Sequence, residues 1–66
     1  MDAKFIKAVN SGDVAFIEEH VYDVSRQTLQ RALARIKNII KNEFEDDEDG
    51  AEDYKEIESL IQSALS

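Results

Sequence analysis

Leu29, Leu33, Ile36 and Ile40 recur at steps of four, three and four, and Ala32 and Ile39 widen the stripe they form. That is the helical period, and no Gly or Pro interrupts it between Ser25 and Phe44. A rod of about five turns takes up a large part of a 66-residue chain. Nothing else in the sequence is long enough to be the central element, so the rest must pack against it.

Asp2 is placed to cap a short first helix with Phe5, Ile6, Ala8 and Val9 on its apolar side. Ser11-Gly12 should end that helix, with Gly12 free to take positive φ. Asp13 then caps a second short helix whose buried side is Val14, Phe16, Ile17 and Val21. Neither helix is long enough to hold alone, so both need tertiary support. Tyr22 to Val24 reads as a connector and Ser25 as the N-cap of the long helix. Glu43 and the acids from Glu45 to Asp49 oppose the helix dipole at its far end, and Gly50 follows, so that helix should stop near Phe44. A last helix is predicted from about Ala51 to Leu65, with Glu52 and Asp53 in its first turn and Tyr54, Ile57, Leu60, Ile61, Ala64 and Leu65 on its apolar face. The expected fold is all-α: one small domain over 1–66, with two short and two longer helices, and the last two forming an antiparallel hairpin. Its expected core is Phe5, Ala8, Val9, Phe16, Ile17, Leu29, Leu33, Ile36, Ile40, Ile57, Leu60 and Ile61.

Charge is unevenly spread. Arg26, Arg31, Arg35, Lys37 and Lys41 lie between Val24 and Asn42 with no acid among them, whereas ten acids face the single Lys55 between Glu43 and Glu58. In an antiparallel hairpin Lys37 and Lys41 approach Glu52, Glu56 or Glu58, contacts that set register more than stability. The net charge of −7 argues against direct binding of nucleic acid or of an anionic membrane. No apolar run reaches membrane-spanning length and Met1-Asp2-Ala3-Lys4 lacks a signal peptide's apolar middle, which leads to the expectation of a cytoplasmic protein. The absence of cysteine fits a reducing compartment.

The stretch from Phe5 to Ile17 resembles an ankyrin repeat, in which a small residue lets paired helices approach and a glycine turns between them. Ala8 falls on the small position, Gly12 on the turn and Phe16-Ile17 on the apolar pair of the second helix. Thr28-Leu29 with Ala32 would restart the pattern, and Tyr54 to Ile61 resembles another second helix. The Thr-Pro-Leu-His signature is missing, and the second unit holds a long insertion between its helix cores. The resemblance implies stacked, ankyrin-like helix pairs and an interaction scaffold, not an enzyme.

The acids from Glu45 to Glu56 admit three readings. Glu45, Asp47 and Asp49 alternate, Gly50 follows and Glu56 closes a stretch of twelve, a spacing similar to an EF-hand calcium loop, here a degenerate one. The same residues could mimic nucleic-acid phosphates or dock a basic partner. The plainest account is a solvated acidic turn. Elsewhere the chemistry is sparse: His20 is the lone histidine, Ser11, Ser25 and Thr28 are accounted for by caps and turns, and Tyr22 and Tyr54 by packing. No catalytic, cofactor-binding or metal-ligating residue is therefore expected. The expected function is a non-catalytic module that binds another protein or a second copy of itself, through its helical faces and the loop Glu45, Asp46, Asp47, Glu48 and Asp49. An acidic inhibitor and a calcium binder are the alternatives.

Overall fold

A computed structural model describes residues 2–66. Four helices follow one another: α1 (Asp2–Ser11), α2 (Val14–His20), α3 (Arg26–Glu43) and α4 (Glu52–Leu65), and no strand is present among the described residues. The chain is all-α, as its periodicity predicts.

Local chemistry sets most of the boundaries. Gly12 has φ 71° and closes α1 with two crossed bonds, Asp13 N–H to Ala8 C=O at 3.0 Å and Gly12 N–H to Val9 C=O at 3.3 Å. This is a Schellman turn, and it needs the left-handed region that glycine enters without penalty. Asp13 immediately caps α2, its Oδ1 accepting from Phe16 N–H at 3.2 Å. Ser25 caps α3 in the same way, its Oγ accepting from Thr28 N–H at 3.2 Å. At the other end Phe44 N–H still reaches Ile40 C=O, and there α3 stops.

The helices make two hairpins, α1 with α2 and α3 with α4, and the hairpins stack so that α1 lies on α3 and α2 on α4. α2 and α3, consecutive in the chain, do not pack side by side as the other neighbours do. This arrangement differs from an up-down-up-down bundle, in which neighbours in sequence are neighbours in space.

Between the layers Phe5, Val9, Ile17, Ile36, Ile57 and Ile61 are fully enclosed. The expected core needs correction at its edges. Phe16, Leu33, Ile40 and Leu60 are only half-buried, while Val21, Thr28, Ala32, Ile39 and Ala51 take enclosed places. The cause is that α3 serves two neighbours. It packs on both α1 and α4, and its enclosed side falls on Thr28, Leu29, Ala32, Ile36 and Ile39, which leaves Leu33 and Ile40 at the edge.

Polar links tie the layers. Thr28, only 4 % exposed, donates from Oγ1 to Asp2 Oδ2 at 2.9 Å and accepts from Ser25 Oγ at 3.0 Å. Asp2 therefore joins the starts of α1 and α3, and is itself the first helical residue, not a free N-cap. Arg35 Nε donates to Asn10 Oδ1 at 2.7 Å at the other end of α1.

Candidate functional site: the acidic tip and the faces beside it

The acidic tip is assembled from two anchors and a folded turn. Phe44 at its start and Tyr54 after its end stack with ring centroids 4.9 Å apart. The Tyr54 ring also lies against Gly12, where an added Cβ would come within 3.0 Å of it. Ala51 is completely buried, its small side chain letting the start of α4 sit close to its neighbours. Between these anchors Glu45, Asp46, Asp47, Glu48 and Asp49 are all exposed.

Asp47 organises the turn. Its Oδ1 accepts from Gly50 N–H at 2.9 Å, and its C=O accepts from Ala51 N–H at 3.2 Å. Those bonds satisfy backbone donors ahead of α4, where Ala51 offers no side-chain cap of its own. A Cβ on Gly50 would collide with Asp47 Oδ2, so the glycine keeps room for that carboxylate. Asp47 is thus committed to the turn, while Glu45, Asp46, Glu48 and Asp49 extend into solvent.

The five acids line one open hollow of about 440 Å³. They do not converge as ligands of a common centre: no group of three or more Asp, Glu, His or Cys side chains among the described residues is gathered as a metal ion requires. Glu56, which would close the calcium-loop pattern, sits inside α4.

Two further hollows open elsewhere. One, of about 290 Å³, lies between α1 and α2 over Ala8 and Phe16, with Lys4 and Lys7 at its rim. The other, of about 360 Å³, lies at the paired starts of α1 and α3, between Ile6, Thr28 and Arg31. The hydroxyls that line them are engaged in the fold: Ser11 Oγ donates to the C=O groups of Lys7 and Ala8, and Thr28 Oγ1 donates to Asp2 Oδ2. His20 stacks on Phe16 at a centroid distance of 4.4 Å, and its Nδ1 lies 3.4 Å from Asp23 Oδ2. That contact closes the turn after α2, where Asp23 N–H also reaches His20 C=O.

Two expectations fail on the surface. Tyr22 is 78 % exposed and packs on nothing, because the connector carries it past the end of α2. The expected pairing of Lys37 and Lys41 with Glu52, Glu56 or Glu58 is also absent. Among the described residues the His20–Asp23 contact is the single ion pair within 4 Å. All four charged groups of the α3–α4 face, Lys37, Lys41, Glu52 and Glu56, extend into solvent, where a pair gains little over hydration.

No helix among the described residues is long and apolar enough to cross a membrane. No family model, curated protein or solved structure matches the chain.

Proposed function

We propose that this chain is a non-catalytic protein–protein interaction module whose acidic tip guides it to a basic surface on its partner. The observation that carries this reading is the way the tip is presented. Four carboxylates at 45, 46, 48 and 49 stand on a turn folded by Asp47 and fixed below by Phe44, Tyr54 and buried Ala51. A tip held in one shape loses less freedom on docking than a loose loop does. Carboxylates collected at one end also speed encounter with a cationic surface. The stacking of α1 on α3 and α2 on α4 supports the same reading, because two stacked hairpins leave the outer face of each open to a partner.

The partner's chemistry follows from the tip: a basic protein surface, including one that otherwise holds nucleic-acid phosphates. The test compares the wild-type chain with E45K/D46K/E48K, which reverses three of the four free carboxylates and leaves Asp47 in place. Both are immobilised to capture partners from the source cells, and each recovered protein is then purified and titrated. The expected result is at least tenfold weaker binding by the variant at low salt, converging with wild type as salt rises. Equal affinity at low salt would show that the tip takes no part in docking. Competition by short duplex DNA for the recovered protein would identify the phosphate-mimicking form of the same activity.

A further inference from the structure

We infer that the outer face of the α3–α4 hairpin is a self-complementary surface that pairs two copies of this chain about a twofold axis parallel to the helices. The inference rests on the reading of the chain as a binding module and names one partner for a face other than the acidic tip.

The face is located by what the two helices already touch. Arg35 reaches Asn10, which puts that side of α3 against α1, and Tyr54 lies on Gly12, which puts that side of α4 against the first hairpin. At about 100° per residue, Lys37 and Lys41 then point away from the first hairpin on α3, and Glu52 and Glu56 do so on α4. Leu33, Ile40 and Leu60 lie in the seam between them, half-buried at the edge of the core. Ser59 and Ser63 continue the α4 side with short side chains. The face carries a basic ladder on one flank and an acidic ladder on the other, each spaced four residues apart, with only the uncovered edges of Leu33, Ile40 and Leu60 between them.

Such a face fits a copy of itself in one orientation. Turning a second copy about an axis along the seam lays its α4 over α3 of the first, and its α3 over α4. Lys37 and Lys41 of each copy then oppose Glu52 and Glu56 of the other. Turning it about the perpendicular axis would lay α3 on α3 and α4 on α4, so that neither ladder meets its complement; the axis along the seam opposes them but also brings both acidic tips to one end, a repulsion that salt relieves. The four groups make no ion pair within their own chain, so they remain available to a second copy. The face is about 27 Å long, from the rise of an 18-residue helix, and two helices wide. It would bury roughly 1,000 Å² in total, near the lower limit for a specific interface. The expected dimer is accordingly weak, with a dissociation constant in the micromolar range or above.

Sedimentation equilibrium across roughly micromolar to millimolar chain concentrations tests this. K37E/K41E and E52K/E56K should each weaken self-association at least tenfold while keeping the helical circular-dichroism signal. Mixed together they should form a one-to-one heterodimer of near wild-type affinity, because every opposed pair is then complementary again. General attraction cannot produce that rescue, since both variants remain net acidic, starting from −7. K37Q/K41Q removes the basic ladder without adding like charges. It carries the test if either reversal lowers helicity, and tenfold weakening is again expected. A wild-type chain that stays monomeric throughout overturns the proposal and leaves docking by the acidic tip standing. A dimer indifferent to these substitutions, or a mixture that does not associate, overturns this interface.

Discussion

At the scale of the residue, the positions that sequence reveals best are those whose chemistry is local. Gly12, Asp13 and Ser25 act on backbone groups within a few residues of themselves, so their identities alone announce a turn and two caps. Thr28 shows the limit. Its hydroxyl is used by Asp2, 26 residues away, and no spacing rule connects them. Thr28→Val keeps the shape and loses that bond, so it should destabilise by about 1–2 kcal/mol, with Thr28→Ser closer to wild type. Urea denaturation read by circular dichroism will separate the two. Gly12→Ala is expected to be worse than propensity suggests. It meets two penalties together, positive φ and the Tyr54 ring 3.0 Å from the new Cβ. A loss above about 1 kcal/mol is expected, and Tyr54→Leu in the same background should recover the part that is steric.

At the scale of the element, the helical period identifies a stripe but not which edge of it faces inward. In α3 that depends on how the helix is shared between α1 and α4, and the outcome encloses Ala32 and Ile39 and leaves Leu33 and Ile40 half-buried. The stripe from Leu29 to Ile40 was therefore fully legible as a helix and only half legible as a core. Ile36 is enclosed on every side, so Ile36→Ala should cost about 2–5 kcal/mol, a large fraction of what so small a domain has. Leu33→Ala, at the half-buried edge, should cost distinctly less, and reversed midpoints would place the α3 stripe in the other phase. The start of α4 gives a parallel case. Its first-turn acids were visible in the sequence, but the residue that caps the approach is Asp47, inside what reads as an undifferentiated acidic run. Asp47→Ala should cost about 1 kcal/mol, whereas Asp46→Ala, free in solvent, should be near neutral. Exposure of the acids followed from their charge; the division of labour among them did not, because it depends on the backbone of the turn.

At the scale of the whole molecule, the sequence displays a basic segment followed by an acidic one and invites the expectation that the two neutralise each other. They do not close into pairs: Lys37 and Lys41 stand free on the same face as Glu52 and Glu56. Long exposed side chains gain little from one fixed contact and give up rotamer freedom to hold it. Repulsion is another matter, because the acids of the tip are held near one another at the end of α3, where they also oppose the helix dipole. With one ion pair among the described residues, salt has little attraction to screen and a net charge of −7 to relieve. Raising NaCl from about 0.02 to 0.5 M shortens the Debye length from roughly 20 Å to a few ångströms. The urea midpoint, measured at a chain concentration low enough to keep the protein monomeric, should therefore rise with NaCl. E45K/D46K/E48K should start from a higher midpoint at low salt and respond less, because its tip no longer repels itself. A midpoint that falls with salt would mean that attraction dominates, and that the lysines of α3 and the acids of α4 meet within one chain in solution.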